Sequence, residues 1–198
     1  MTEKQLWQRF KEGSEEAFSN IYHTHYNVLY NYLNKIGRDE NLSNDCIQDL
    51  FFKLWRDREK LGDIQSIKFY LLTSARRAIL KKIKKERAFD KKIKAAGYHE
   101  TDITFAQEEL LIHDEEAAEL KKKIADLLNS LPKRQKEAIY LKYYEGLSYD
   151  EVAELMEVNY QSVVNLIYKA FQTFKKHDLL QSLKHWCIFL LLRHLFQQ

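Results

Sequence analysis

Three sets of side chains carry types and spacings that could do chemistry. In LSYDEVAELMEVNYQSVVNLIYKAF, Leu147 to Phe171, Gln161 and Asn165 stand four residues apart and so share one helix face. A carboxamide holds a donor beside an acceptor, which matches the N6 and N7 edge of adenine in the major groove, and the Val164 methyls can pack on a thymine methyl. In IKFYLLTSARRAILKKIKKER, Arg76, Arg77, Lys81, Lys84 and Lys85 form a cationic face for phosphates, whose neutralisation releases counterions and makes affinity fall with salt. Tyr70 and Phe69 stand at its start, where aromatic rings suit unpaired bases at about 1–3 kcal/mol per stacked base. In NDCIQDLFFKLW, Asp45, Gln48 and Asp49 share an outward face on which two carboxylates can meet a basic partner.

Each set has a plainer reading when taken alone. A charge run is usually a solvated face, carboxylates near a helix start are favoured by the helix dipole, and Phe69 and Tyr70 can be ordinary core. Helical hairpins that merely pack are also common.

Catalytic and metal chemistry find no support. The seven histidines are scattered, and His23 with His25 on a polar helix suits exposure better than ligation. Cys46 and Cys187 match no paired-ligand spacing and have no helper residue, and the five glycines sit at segment ends rather than in a phosphate-cradling loop. No enzyme activity, metal, cofactor or small-molecule substrate is expected.

The elements that must position these residues are helices almost throughout, because apolar residues recur at spacings of three and four. The fold class is all-α, in two small helical domains. Ala17 to Ile36 marks a long helix that Gly37 can end by turning left-handed. Ile47, Leu50, Phe51 and Leu54 line the next, and Leu71, Leu72, Ala75, Ile79 and Ile83 the third. Ile124, Leu127, Leu128 and Leu131 open a second domain, with Pro132 predicted in a helix first turn. Ser148 and Glu151 form a capping box, and Asn159 caps the helix carrying Gln161 and Asn165.

Net charge of +3 conceals two opposed blocks. Ser66 to Lys94 holds eleven Lys or Arg against Glu86 and Asp90; Ala95 to Leu120 holds eight Asp or Glu and no Lys or Arg. The acidic block lacks regularly placed apolar residues and reads as a linker, partly helical at most. The predicted organisation is domain 1–94, acidic linker 95–120, domain 121–177 and apolar tail 178–198. The thiol usage and the charged N-terminal segment suggest the cytoplasm.

Taken in order and spacing, NDCIQDLFFKLW, IKFYLLTSARRAILKKIKKER and LPKRQKEAIYLKYYEGLSYDEVAELMEVNYQSVVNLIYKAF resemble the sigma factors of bacterial RNA polymerase, specifically the two-domain extracytoplasmic-function group. The resemblance covers roughly Glu15 to Lys176. It implies that the first domain is sigma region 2, which binds the polymerase clamp helices through Asp45, Gln48, Asp49 and Phe52. The same domain would open the minus-10 element with Tyr70, Arg76, Arg77, Lys81, Lys84 and Lys85. The second domain would be sigma region 4, held at the flap and reading the minus-35 duplex with Gln161, Ser162, Val164, Asn165, Tyr168 and Lys169.

Lys133, Arg134, Lys136, Lys142, Lys169, Lys175 and Lys176 would supply phosphate grip without reading sequence. The resemblance also implies an anti-sigma factor as partner. Departures from the family are Arg77 in place of the usual Asn, Lys81 in place of a common Asp, uncharged Val164 and Leu166, and Glu157 where relatives often have glycine.

The acidic linker acquires a meaning in this setting: Glu100, Asp102, Glu108, Glu109 and the cluster from Asp114 to Glu119 could occupy the polymerase's RNA path as an electrostatic stand-in. The tail from Trp186 to Leu192 is apolar all round and shorter than the about 20 residues that span a bilayer. Packing on the chain itself, an anti-sigma contact and a membrane surface all remain open for it. Two rival functions also stand: a free-standing helix-turn-helix regulator, and a polymerase or anti-sigma interaction protein without promoter activity.

Overall fold

The computed structural model describes residues 1–90, 103–105 and 118–175, with side chains over 1–85, 103–105 and 122–174. Expectations for the tail 178–198 and for the linker carboxylates lie outside those side chains. The chain divides into two compact units, Met1–Tyr98 and His99–Gln198. The described elements are helical, without a strand among them.

The first unit contains α1 (Glu3–Lys11), α2 (Glu15–Gly37), α3 (Glu40–Arg56) and α4 (Ile67–Asp90). Helix α1 goes beyond the three helices predicted. A Thr2–Gln5 capping box starts it, and Trp7 and Phe10, three residues apart, turn inward. Two bonds then tie it to distant chain. The Trp7 indole donates to the Gly62 carbonyl at 3.0 Å, and the Glu3 carboxylate accepts the Ile67 N–H at 2.6 Å, satisfying a donor that the start of α4 leaves unpaired.

Ile21, Leu29, Leu33, Ile47, Leu71, Leu72 and Ile79 fill the centre between α2, α3 and α4 and are essentially inaccessible. Each such side chain stabilises the fold by roughly 1.5–3 kcal/mol. Phe10, Phe18, Phe51 and Trp55 add a continuous aromatic layer with centroid separations of 5.0–6.3 Å.

The end of α2 differs from expectation. The left-handed residue is Arg38, at φ 53°, and Gly37 is still helical. Gly37 is closely approached instead: a Cβ there would lie 2.8 Å from Ile79 Cδ1, the end of a side chain that would have to shift to admit it. The close approach reflects how α2 meets α4, which spacing along one helix does not reveal.

The second unit contains α5 (Ala118–Asn129), α6 (Lys133–Ile139), a wide π turn over Tyr140–Tyr144, α7 (Tyr149–Met156) and α8 (Tyr160–Lys175). Pro132 sits at the N-cap of α6, one residue before the first turn predicted for it. The Ser148–Glu151 capping box opens α7 as expected, and Asn159 Oδ1 accepts the Ser162 N–H at 2.7 Å at the head of α8. Val152, Leu155 and Met156 of α7 and Val163, Ile167, Ala170 and Phe174 of α8 face the common core.

Between α7 and α8, Glu157 is left-handed at φ 56°, ψ 47°. Backbone geometry there suits the glycine noted as common in relatives, because a side chain in this region strains against its own carbonyl.

The reading of 95–120 as a linker meets an exception. Ile103 is 0% exposed and Phe105 3%, and both belong to the second unit. The pair is too short to show periodicity in sequence.

Candidate nucleic-acid interface

Helix α8 presents its uncharged residues together. Gln161, Asn165, Tyr168 and Lys169 are exposed, Ser162 and Val164 half-buried. Gln161 Nε2 donates to Asn165 Oδ1 at 3.2 Å, which holds the two carboxamides in one orientation. The Asn165 oxygen retains a second lone pair and its amide nitrogen two donors, so both halves of a bidentate base contact remain available. Tyr168, at 61% exposure, extends the face.

Two of the five flanking cations whose side chains are described serve the fold instead, and those of Lys175 and Lys176 lie outside the described residues. Arg134 and Lys169 are exposed, but Lys136 is 7% exposed and faces the core side of α6. Lys142 donates to the Leu147 carbonyl at 3.0 Å and lies over the Tyr149 ring at 4.9 Å, so it braces the loop before α7. Beneath it, burial and then the neighbouring Tyr149 push the Tyr143 phenol well up from its ordinary value.

The α4 face requires one correction. Arg77, Lys81, Lys84 and Lys85 are exposed and fall within one stripe, while Arg76 is 7% exposed. One residue turns a helix by about 100°; that step carries Arg76 from its neighbour's side round to the flank of buried Leu72 and Ile79. Tyr70 is also partly committed to structure, its ring edge-on to Trp7 at 5.6 Å. Burial raises its pKa, against a lowering contribution from a hydrogen bond with Ser74.

On α3, Asp45, Gln48, Asp49 and Phe52 are all exposed on one side, with Phe52 at 67%. Arg56 sits 6.0 Å from the Phe52 ring centroid. A residue outside the predicted set joins this patch to α4: Lys82 Nζ lies 2.9 Å from Asp49 Oδ2. That hydrogen bond holds the Asp49 carboxyl below its usual value. Partial burial works against the Lys82 charge, yet the Asp49 bond and nearby Cys46 and Asp45 keep its pKa above normal. Lys82 could not have been found from α4 alone, since the pair depends on the packing register of α3 on α4.

Among the described residues no cluster of His, Cys, Asp or Glu suits a metal ion, and no described helix is long and apolar enough to cross a membrane.

An all-helical bundle with an acidic and a basic face, followed by a helix-turn-helix, is a two-part helical architecture suited to nucleic acid. Comparison with known proteins specifies which. Residues 21–89 match Sigma-70 region 2, and residues 121–174 match Sigma-70, region 4.

The sigma factor SigK of Mycobacterium sp. (strain KMS) is 26% identical over 164 residues, covering 80% of this chain and 81% of that protein. The sigma-E factor of Haemophilus influenzae is 26% identical over 182 residues, covering 86% and 92%. Among solved structures, the sigma factor RpoE bound to the anti-sigma factor NepR from Bartonella quintana superimposes with a TM-score of 0.58 at 18% identity, over 84% of this chain and 98% of that one. CnrH in complex with the cytosolic domain of CnrY gives 0.57 at 16%, over 92% and 99%. The chain belongs to the sigma-70 family of bacterial RNA polymerase sigma factors, within its extracytoplasmic-function group.

Proposed function

We propose that this sigma factor binds core RNA polymerase through the α3 patch and directs initiation at promoters whose minus-35 element is read by α8 and whose minus-10 element is opened over α4. The observation that carries the reading is the paired Gln161–Asn165 carboxamide face on an exposed recognition helix. Uncharged and backed by Val164, it favours A·T pairs over G·C pairs.

Arg77, Lys81, Lys84 and Lys85 supply phosphate neutralisation for the opened strand. Tyr70 contributes its outer edge to a flipped base, while Arg76 supports the helix from within. Asp45 and Asp49 meet basic clamp residues, and Phe52 gives that contact an apolar centre. Control by an anti-sigma factor belongs to the same proposal, as does an organisation in which residues 1–94 act on the minus-10 element and 121–177 on the minus-35 element.

Run-off transcription with purified core polymerase, on a pool of bacterial promoter fragments with and without the protein, tests it. Discrete new start sites with A·T-rich upstream elements are the expected result. Core binding without any start site would replace it by the interaction-protein reading, and absence of core binding by a free-standing regulator.

A further inference from the structure

Helix α1 places Glu3, Trp7 and Lys11 four residues apart, on one stripe, and all three reach the same distant segment. Trp7 Nε1 donates to the Gly62 carbonyl at 3.0 Å, Lys11 Nζ lies 3.3 Å from Asp63 Oδ1, and the Glu3 carboxylate accepts the Ile67 N–H at 2.6 Å. The irregular residues 61–66 between α3 and α4 are therefore fastened near both ends by one helix. Of the three side chains only Trp7 belongs to the core; Glu3 is exposed, so its bond is no by-product of apolar packing.

What the stripe fastens is the first turn of α4. The Ile67 N–H goes to Glu3 and the Phe69 N–H to Ser66 Oγ at 3.2 Å. Two donors that a helix start leaves open are thus satisfied, and a carboxylate stands at the positive end of the helix dipole. Tyr70 completes that turn. Trp7 meets its ring edge-on with centroids 5.6 Å apart, and its hydroxyl hydrogen-bonds with Ser74 one turn on. The ring is held at both ends. Tyr70 stands seven residues before Arg77 and eleven before Lys81, spacings that put it on the side of the exposed cationic stripe.

We propose that the Glu3–Trp7–Lys11 stripe is a positioning device for promoter opening, in which Trp7 acts through Tyr70 by holding its ring in place before a base arrives. The inference rests on the promoter-reading function proposed above, where Tyr70 receives a flipped base of the minus-10 element. A base leaving the duplex is captured only if its new partner is already in position. Loss of the hold makes the ring pay its ordering at the moment of capture, which slows opening about two- to tenfold for one immobilised side chain.

Full-length variants bound to core polymerase test this. Trp7→Phe keeps an aromatic ring against Tyr70 and loses the donor to Gly62; Glu3→Ala loses the acceptor for Ile67, and Glu3→Gln keeps one. Opening is followed by permanganate reactivity of minus-10 thymines on a duplex promoter. Run-off output is measured in parallel on the same promoter with its minus-10 element already held open by mismatches. Trp7→Phe and Glu3→Ala should open the duplex about two- to tenfold more slowly, yet match the wild type on the mismatched template and in core affinity. Glu3→Gln should keep the wild-type rate. In a Tyr70→Ala background Trp7→Phe should cost nothing further, since a residue acting through Tyr70 has no effect once that ring is gone.

A loss of equal size on both templates, or a further loss in the Tyr70→Ala background, would overturn the inference and leave the stripe a support of the fold. Unchanged opening in both Trp7→Phe and Glu3→Ala would overturn it as well. A wild-type protein that opens no promoter would instead break the promoter-reading function, a result separate from these comparisons.

Discussion

Helices α4 and α8 carry the two nucleic-acid faces proposed for this protein, and they are built on opposite principles. The α4 stripe of Arg77, Lys81, Lys84 and Lys85 is charge without hydrogen-bond pattern, whereas Gln161, Val164 and Asn165 on α8 are pattern, with exposed Lys169 four residues beyond Asn165. Phosphates are alike at every base pair and attract any cation; base edges differ, and only fixed donor and acceptor pairs distinguish them. If the proposed roles hold, variants should be able to remove grip while leaving reading, or the reverse.

Neutralising the stripe has the largest expected effect. Replacing Arg77, Lys81, Lys84 and Lys85 together by Gln removes up to four phosphate contacts, which should reduce the slope of log affinity against log salt by about 3 on single-stranded DNA. Titrating labelled single strands between low and moderate salt checks it, and preference among minus-35 duplexes should not move. Adding Arg76→Gln should leave the slope where it is, because that side chain lies against the core; a further drop would show that Arg76 swings out to bind.

Asn165→Ala comes next, at about 1–3 kcal/mol for each adenine that the carboxamide no longer pairs. Competition between matched and mismatched minus-35 duplexes should show the weakening only on the matched one. Lys169→Ala should weaken both alike and lower the salt slope by about 1. If the two variants gave the same uniform weakening, the division between reading and grip would fail on α8 itself.

The contrast also explains what could be read before the structure. The helix-turn-helix was legible because its signals are local: Ser148 with Glu151, Asn159 as a cap, and core residues at three and four spacings from Val152 to Phe174. Exposure on α4 was legible for Arg77 and Lys81 but not for Arg76, since one helical step decides between solvent and core.

Tertiary choices left no such trace. Gly37 is approached by Ile79, Asp49 is paired by Lys82, and Phe105 is held by Asn129. Each needs a register between segments far apart in sequence. Helix α1 was different, because Thr2, Gln5, Trp7 and Phe10 do carry a capping box and an apolar spacing. Its signal was present in a segment whose mixed charges spoke first to targeting.

Smaller variants separate the two units by stability. Glu157 holds a left-handed backbone that glycine adopts freely, so Glu157→Gly should stabilise the second unit by about 1 kcal/mol, a gain reduced by glycine's greater freedom when unfolded. Denaturant unfolding followed separately in each unit by amide exchange checks it. The first unit should be unaffected, and so should discrimination at Asn165.

His25 supplies the counterpart in the first unit and the smallest effect. Burial lowers its pKa from 6.5, aided by Lys68 and opposed by Glu3. Between the lowered folded value and 6.5 the unfolded chain therefore binds more protons than the folded one, and stability must rise with pH across that window. On acidification below 6.5 the first unit should lose stability until the folded value is passed, after which the histidine contributes no further change. His25→Gln should flatten that part of the pH profile without altering the second unit. An NMR titration of the His25 ring gives the direct check: a midpoint below 6.5 agrees with the burial, and one above it would mean that Glu3 outweighs burial and that acid strengthens the contact between α1 and α2.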